Sequence, residues 1–526
     1  MRKITELDSA VDATANFSWD RLWELFDGNA ESMNLAHECL DRHRARGTAV
    51  SIKFADGHAE HVDFAQLADW SGRFANWLVA RGVAKGDRVA VILEPSLGFY
   101  TGLFGAVKRG AIGVPLFTLF GPEGLALRIN DCKPALVLTH SDGGSLARQY
   151  PDTQVVEVNE AFWRDLEQHS AAFTPDTRAS DLAIYQYTSG TTRELPEAVK
   201  HTHRAVVTLM IAALYGVGLK PGDHYFCPSS PAWGHGLWHG TIAPLALGIH
   251  IAAYSGKFDA ARIVEALQEF KIDNFAAAAT VFRMIRNAEL AATANIRLPK
   301  ISFTGEPIDA TTAAWVEQTF GSPACSMYGS TEVGVLLVNF PGYAGYQPKP
   351  GSLGKPAPGW EVAIIDAAGQ VLPPDTSGEI AVKRKGEWFY VKDRGRMDEH
   401  GYFYHEGRSD DVIISAGWTM SAVEIESCLM KHPAVLEAAV IGVPDALRGQ
   451  VARAYIVARG VGKTAGEDAA ATAINTDISA DIQAFMKTQL SQHEYPRQIE
   501  FVDALPKTPA GKVNRKVLRD RLVLTN

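Results

Sequence analysis

The sequence has few cysteines, no long hydrophobic run and no excess of positive charge. Its five cysteines lie far apart and form no Cys-x-x-Cys pair, so we expect neither disulfides nor zinc, and a reducing cytoplasm fits the chain. No stretch of about 18 apolar residues is present, so no transmembrane helix is predicted. The first residues also lack the apolar segment of a secretory signal. The net charge of -9 argues against nucleic acid as a general partner.

The length of 526 residues exceeds what one hydrophobic core usually supports, so at least two domains are expected. Helical and strand patterns alternate in the N-terminal half, which favours an α/β architecture with parallel sheets. Residues 88–93, 135–138 and 301–303 have the apolar pattern of buried strands. One predicted helix carries an apolar face made of Phe64, Leu67, Phe74, Trp77 and Leu78.

Strand patterns become more frequent towards the C-terminus. Residues 361–366 and 378–384 predict a β-rich subdomain at the end of a large N-terminal domain. Strand patterns at 435–443 and 451–457 predict a small α+β domain, and the Ala-, Gly- and Thr-rich segment 459–477 is predicted to be a loop. The boundary falls best at Asp410, which gives domains of residues 1–409 and 410–526.

A cluster of hydroxyl side chains follows the strand pattern that ends at Tyr185. Backbone N–H groups near a glycine can approach a polyphosphate closely, and Ser and Thr hydroxyls donate hydrogen bonds without bulk. No Gly-Lys-Ser/Thr follows, so this is not a Walker A loop. The residues of this predicted phosphate loop are Thr188, Ser189, Gly190, Thr191 and Thr192.

Two further segments carry nucleotide-binding chemistry. In the segment Tyr328-Gly-Ser-Thr-Glu332, a tyrosine can stack on a purine, Thr331 can bond a phosphate, and a carboxylate oxygen suits Mg²⁺. The segment Thr304-Gly-Glu-Pro307 follows a predicted strand, where an open α/β sheet exposes its ligand crevice.

Together these segments resemble the AMP-forming acyl-CoA synthetases of the acyl-adenylate-forming superfamily, and most of all the medium-chain and aryl acid:CoA ligases. The resemblance implies an acid–thiol ligase that uses MgATP, CoA and a carboxylic acid. It makes Glu332 the metal ligand. It also assigns nucleotide binding to the phosphate loop and to Gly305, Glu306, Pro307, Tyr328, Gly329, Ser330 and Thr331.

The C-terminal part extends the same resemblance. Asp393 stands where the family has the Asp of Thr-Gly-Asp, a ribose contact, although Val-Lys precedes it here; Arg408 matches a second ribose or phosphate contact. The decapeptide 506–515 places Lys512 at the family's catalytic lysine, where a cation can neutralise two anionic reactants. The resemblance further implies a hinge at Asp410, about which the C-terminal domain rotates, and a CoA contact at Gly417 and Trp418.

The acyl pocket is predicted around Trp233 and His235. Aromatic residues and glycines there can line an apolar pocket, and the histidine can place one polar group near a carboxylate. Acetate-restricted relatives carry Trp near the position of Gly329. Glycine here therefore suggests a larger acid, of medium-chain, alicyclic or aromatic type.

One departure from the family pattern concerns charge. The stretch from Thr192 to His203 is one residue longer than the family pattern, and Glu197, which follows Pro196, stands where a lysine is expected. A carboxylate there repels phosphates. Either Lys200 or Arg193 supplies the missing cation, or the loop binds nucleotide without turnover.

Two alternative functions follow from these residues. One is an adenylating ligase that loads a carrier protein instead of CoA, and the other is a nucleotide-binding regulatory protein without catalysis. The expected partners are small molecules, without nucleic acid or a membrane span, and a homodimer is compatible with the sequence.

Overall fold

The chain divides into two compact units in the computed structural model. The first comprises Met1–Thr304, Trp315–Pro348 and Ala357–Gly359, and the second comprises Gly305–Ala314, Lys349–Pro356 and Trp360–Asn526. The structure describes residues 2–118, 120, 122–140, 143–187, 198–290, 295–305, 307–330, 333–408, 412–415, 418–445, 449–459, 469–489, 495–508 and 513–524.

The strands are numbered in chain order. Those in the first unit are β1 (Thr48–Phe54), β2 (Ala59–Asp63), β3 (Arg88–Ile92), β4 (Ile112–Pro115), β5 (Leu136–Thr139), β6 (Gln154–Glu157), β7 (Leu182–Tyr187), β8 (Ala198–Thr202), β9 (His224–Phe226), β10 (His250–Ser255), β11 (Asn274–Ala278), β12 (Lys300–Thr304), β13 (Cys325–Ser330) and β14 (Gly334–Val338). Those in the second unit are β15 (Lys355–Pro356), β16 (Val362–Ile365), β17 (Gly378–Arg384), β18 (Glu387–Met397), β19 (Phe403–Arg408), β20 (Val412–Ser415), β21 (Trp418–Ser421), β22 (Val435–Asp445), β23 (Gly449–Ala458) and β24 (Gln498–Phe501).

The α-helices are also numbered along the chain. They are α1 (Ala10–Ala15), α2 (Leu35–Cys39), α3 (Phe64–Ala80), α4 (Leu97–Arg109), α5 (Pro122–Cys132), α6 (Gly143–Gln149), α7 (Glu160–Glu167), α8 (Ala205–Ile211), α9 (Ala243–Ala246), α10 (Ala260–Glu269), α11 (Ala279–Asn287), α12 (Ala310–Phe320), α13 (Ala422–Leu429), α14 (Ala469–Gln489) and α15 (Arg515–Leu524). Two π-helical segments span Ala212–Gly216 and His235–Ile242, and 3-10 turns span Ile4–Glu6, Asp20–Leu25 and Asp41–His43. No helix in the described ranges is long and apolar enough to cross a bilayer.

The first unit is built on two largely parallel sheets. One has the strand order β6-β5-β3-β4-β7-β8, in which only β8 runs antiparallel to its neighbour. The other has the order β14-β13-β12-β11-β9-β10-β1-β2. Strands β3 and β5 are buried almost throughout, as their continuous apolar sequences predict. The α/β prediction is therefore confirmed.

Helix α3 confirms the predicted amphipathic face. Its five apolar residues, from Phe64 to Leu78, are each at most 1% exposed. The helix begins with a capping box in which Asp63 and Gln66 satisfy each other's free backbone N–H groups. The face packs mainly against helix α4, and its burial contributes about 1.5–3 kcal/mol for each large apolar residue.

The second unit contains two antiparallel sheets in its described part. One has the order β16-β17-β18-β19. The other has the order β21-β20-β23-β22, with β24 added parallel to β23. The predicted loop at 459–477 is wrong in its second half, because α14 begins at Ala469. Alanine has the highest helix propensity, and the run Ala469-Ala-Ala471 starts this helix.

The β17–β18 hairpin closes on a tight turn. Lys385 and Gly386 both have positive φ, 51° and 88°, which is the pattern of a type I′ turn between antiparallel strands. Further along β18, Lys392 has φ 63°. It occupies the position of the family's glycine before Asp393, so a lysine here adopts the left-handed backbone that glycine adopts without strain.

We predict that Lys392→Gly keeps or raises the thermal unfolding midpoint, whereas Lys392→Ala does not raise it. Both changes remove the ammonium group, but only glycine relieves a left-handed strain of about 1–2 kcal/mol, partly offset by its entropy in the unfolded chain. Differential scanning fluorimetry measures the difference. A glycine variant less stable than the alanine variant would contradict the strain.

Candidate functional site

Two of the predicted nucleotide-binding segments begin at neighbouring strands in the second sheet of the first unit. Strands β12 and β13 are parallel neighbours, with Phe303 paired to Ser326. The hydroxyl of Thr304, at the end of β12, donates a hydrogen bond of 2.8 Å to the carbonyl of Met327. The segments that begin at Thr304 and at Met327 therefore start at the same carboxyl edge, where α/β sheets bind ligands.

The segment that follows Thr304 is only partly described. Gly305 has φ 97°, a conformation that side chains rarely adopt, so this glycine allows the chain to turn as it leaves the strand. Pro307 lies in the irregular stretch before α12, and Glu306 lies outside the described residues.

Gly329 lies at a bulge of the β13–β14 hairpin. A Cβ added to Gly329 would lie 2.0 Å from the Gly334 carbonyl oxygen, so this backbone admits only glycine. The glycine is thus explained by the close approach of two strands. A larger acyl pocket gains no support from it, because the Cβ direction points at β14.

Ser330 ends β13 with a buried hydroxyl that has no hydrogen-bond partner among the described residues. Tyr328 pairs with Leu337 in the same hairpin. Thr331 and Glu332 lie outside the described residues, and no group of three or more His, Cys, Asp or Glu within the described ranges is arranged to hold a metal.

The phosphate loop connects two strands whose ends are well defined. Tyr187, the last residue of β7, pairs with Ala198, the first residue of β8. The buried Tyr187 hydroxyl donates to Asp131 Oδ2 at 2.6 Å and lies 3.1 Å from the Arg128 carbonyl oxygen. Burial and this carboxylate raise the pKa of Tyr187 far above its usual value. Residues 188–197, including the predicted phosphate ligands, Arg193 and Glu197, lie outside the described residues.

Lys200 lies three residues beyond Glu197, on β8. It pairs in register with Tyr185, and its ammonium nitrogen is 5.4 Å from the Tyr185 ring centroid. The side chain is exposed. An exposed cation–π contact of this kind stabilises by only about 0.5–1 kcal/mol, so the ammonium can leave it at little cost.

Trp233 lies in an aromatic cluster. Its ring is 5.5 Å from that of Phe117 and 6.2 Å from that of Phe120. Phe117 and Phe120 follow β4, which neighbours the strand that leads into the phosphate loop. The Arg128 Cζ lies 3.7 Å from the Phe120 ring, so the cluster is an aromatic wall with one cation at its side. The remaining ring surface suits a hydrocarbon or an aromatic ring.

His235 begins the π-helix that follows this wall. Its Nδ1 lies 3.0 Å from Ser229 Oγ and 3.6 Å from Cys227 Sγ. A Cβ at Gly236 would lie 2.2 Å from the Ser230 carbonyl oxygen, so glycine is needed where the chain turns into the helix. π-helical turns are rare and occur frequently at functional sites.

The imidazoles near this wall are neutral at pH 7. Burial lowers the pKa of His235 to about 4 and that of His201 to about 4. Burial and the neighbouring His235 lower the pKa of His239 to about 3. These rings offer hydrogen bonds to a ligand but no charge.

Gln186 and His201 join this region without having been predicted from the sequence. The Trp238 indole donates a hydrogen bond of 2.6 Å to Gln186 Oε1, and the His201 ring is 4.6 Å from that of Trp238. Gln186 is a polar residue in an apolar strand, one position before the strand ends. A polar residue at the end of an apolar strand is the sequence feature that could have indicated Gln186.

In the second unit, Asp393 and Arg408 lie directly opposite each other on β18 and β19. Asp393 Oδ1 is 3.7 Å from His405 Nε2, which is an ion pair when the imidazole is protonated. The two predicted ribose-side residues are thus brought together by strand register.

For the remaining predicted residues the structure gives few positions. Trp418 begins β21. Lys512, Asp410 and Gly417 lie outside the described residues, so their roles and the boundary at 409/410 stay predictions.

Comparison with known proteins covers both predicted domains. Residues 41–387 match the AMP-binding enzyme family, and residues 424–512 match the AMP-binding enzyme C-terminal domain. Acetyl-coenzyme A synthetase of Bacillus subtilis (strain 168) is 31% identical over 93% of this chain and 90% of its own length.

Solved structures agree with that match. The acyl-CoA synthetase of Brucella canis has a TM-score of 0.74 and 29% identity, over 99% of this chain and 100% of its own. The anthranilate CoA ligase AuaEII, in complex with anthranoyl-AMP, has a TM-score of 0.80 and 25% identity, over 95% and 99%. Because one family model spans more than half of the chain and a relative exceeds 30% identity over nearly all of it, this chain belongs to the AMP-binding enzyme family as an AMP-forming acyl-CoA ligase that uses ATP, Mg²⁺ and CoA.

Proposed function

We propose that this enzyme activates a medium-chain, alicyclic or aromatic carboxylic acid as its acyl-adenylate and then transfers the acyl group to CoA. The observation that carries the substrate class is the cluster of Trp233 with Phe117 and Phe120. An acetate-sized acid would leave such a wall largely unused, whereas a ring or a chain of several carbons buries apolar surface against it at about 25 cal/mol per Å².

The hydrogen bond between Trp238 and Gln186 supports the placement of the acid. It ties the helix after the aromatic wall to the strand that leads into the phosphate loop. An acid whose tail lies on the wall then presents its carboxylate towards that loop. Fixing two reactants at attack distance removes much of the entropic barrier to their reaction.

We assign the nucleotide contacts to the residues identified in the sequence. Hydroxyls and backbone N–H groups of residues 188–192 hold phosphates, Tyr328 lies against adenine, and Asp393 with Arg408 holds the ribose. Mg²⁺ would be held after β13 by the Glu332 carboxylate, with the Ser330 hydroxyl, which has no hydrogen-bond partner among the described residues, as a second hard oxygen ligand. When bound, the ion neutralises phosphate charge.

The proposed reaction has two steps, adenylation of the acid and transfer of the acyl group to CoA. A carboxylate oxygen attacks the α-phosphorus, and the bond to pyrophosphate breaks while Lys512 offsets the negative charge. Rotation of the C-terminal domain about Asp410 then withdraws Lys512 and brings Gly417 and Trp418 to the intermediate. The CoA thiolate attacks the acyl carbon, and AMP leaves with the bonding electron pair.

Lys512→Ala should abolish formation of the acyl-adenylate but leave thioester formation from supplied acyl-AMP largely intact. The lysine acts only where two anions meet. Pyrophosphate release and CoA-dependent consumption of acyl-AMP measure the two half-reactions. Lys507→Ala is the matched control, because this nearby lysine bonds Glu437 at 3.0 Å and should affect neither. Equal loss of both half-reactions would reject the role.

Lys200 is the candidate that we propose for the missing cation of the phosphate loop. Its side chain is exposed and lies close in sequence to Glu197. Among the described residues it makes a weak cation–π contact with Tyr185. A charged hydrogen bond to phosphate contributes about 1.5–3 kcal/mol, which more than offsets that contact.

Lys200→Ala should lower carboxylate-dependent ATP–pyrophosphate exchange by about tenfold or more, in line with 1.4 kcal/mol or more. Arg193→Ala should change it little, and Glu197→Lys should restore exchange in the Lys200→Ala background. If Arg193→Ala causes the loss instead, the assignment passes to Arg193. Absence of exchange in the unmodified enzyme would favour nucleotide binding without turnover.

Trp233→Ala should raise KM for the acid by about tenfold or more and leave KM for ATP within about twofold. It removes aromatic contacts that stabilise by about 0.5–1.5 kcal/mol each beyond their buried area. Initial rates with an aromatic or medium-chain acid provide the measurement. Trp163→Ala, which removes an edge-to-face contact with Trp70 at 4.9 Å, is the control. A parallel rise in both KM values would argue against the acyl wall.

A cytoplasmic location and a homodimer also stay proposals. The five cysteines are buried and form no disulfide, which suits a reducing compartment.

A further inference from the structure

The tip of the β17–β18 hairpin carries aromatic side chains next to cations on the protein surface. Lys383 and Arg384 lead into the turn, Lys385 is its first residue, and Trp388, Phe389 and Tyr390 follow it. Phe389 is 37% exposed and Tyr390 is 38% exposed. One exposed aromatic side chain therefore lies on each face of the hairpin near its tip.

Strand register distributes these side chains over both faces of the hairpin. Lys383 pairs with Trp388, and Val382 pairs with Phe389, so the two aromatics point to opposite faces. Each aromatic lies near a cation: Lys383 Nζ is 5.3 Å from the Trp388 ring, and Arg384 Cζ is 5.6 Å from the Phe389 ring. The tip is therefore amphipathic on both faces.

The tip also forms a shallow cleft of about 260 Å³, lined by Arg384, Lys385, Glu387, Trp388 and Phe389. Lys383 bonds Glu361 at 3.0 Å, but no carboxylate among the described residues lies within 4.0 Å of Arg384 or Lys385. Glu387 lies opposite Arg384 in the strand register, but two cations without an ion pair among the described residues stand beside exposed aromatics in a chain whose net charge is -9.

We propose that this hairpin tip docks on an anionic lipid surface. Aromatic rings are enriched at the headgroup level of membranes, where one part of the ring is apolar and its edge is polar. Basic side chains near an anionic leaflet contribute about 1 kcal/mol each. The tip combines both features on a rigid type I′ turn, so its rings can enter the interface while Arg384 and Lys385 meet phosphate headgroups.

Size and charge favour a lipid surface over an acidic protein. A stable protein interface covers about 800 Å² on each partner, more than a single turn offers. The net negative charge of the chain repels an anionic membrane elsewhere, so contact is confined to the tip and is weak and reversible. This inference does not depend on the identity of the acid.

Co-sedimentation with vesicles tests the proposal. The unmodified enzyme should sediment with vesicles of phosphatidylcholine and phosphatidylglycerol, but not with phosphatidylcholine alone, and high salt should release it by screening the charges. Absence of binding to the anionic vesicles would overturn the proposal.

Two double variants locate the surface. Arg384→Gln with Lys385→Gln should weaken binding by about tenfold or more, since each cation contributes about 1 kcal/mol. Phe389→Ser with Tyr390→Ser should also weaken it. The matched control is Lys257→Gln with Phe258→Ser, because Phe258 is likewise 37% exposed beside an exposed lysine. Circular dichroism and the thermal midpoint confirm that each variant is folded.

Two kinds of result would overturn the proposal. Binding that survives both tip variants, or that is lost in the control, overturns the assignment to this hairpin. Capture of the enzyme by immobilised polyglutamate through the tip, without binding to anionic vesicles, would identify an acidic protein as the partner and would also overturn it.

Discussion

The proposed acyl site depends on one buried hydrogen bond, from the Trp238 indole to Gln186. Its two partners are 52 residues apart. Gln186 belongs to the strand that enters the phosphate loop, and Trp238 belongs to the π-helix that follows the aromatic wall. A buried amide or indole without a partner costs about 1–3 kcal/mol, so the two elements are held in one relative position. This hydrogen bond therefore fixes the aromatic cluster's helix against the strand that leads into the predicted phosphate loop.

Sheet topology explains why segments far apart in sequence meet at all. Parallel strands expose their carboxyl ends at one edge, and β12 and β13 bring Thr304 and Met327 together there. In the second unit the same result is reached with antiparallel strands, whose register places Asp393 opposite Arg408. Asp393 and Arg408 were identifiable only through the resemblance to family motifs, whereas the segment after Thr304 was also marked by the strand pattern before it.

Other features could not be predicted from the sequence. Gln186 and His201 both contact Trp238, which lies on a π-helix distant in sequence, and no local sequence pattern predicts these contacts. Gly329 suggested pocket size, but its glycine is demanded by the Gly334 carbonyl, a contact visible only in three dimensions. The start of α14 was missed because loop composition and an alanine run occupy the same segment, and helix propensity prevails in its second half.

The anchoring of Tyr187 has a consequence for how this family varies. Its hydroxyl fixes one end of the phosphate loop to Asp131, and strand pairing with Ala198 fixes the other. With both ends fixed, the entropy of closing the connection grows only with the logarithm of its length, so one added residue costs on the order of 0.1 kcal/mol. Insertions in this loop therefore change the free energy of folding very little. Selection can change its length and charge by acting on turnover alone.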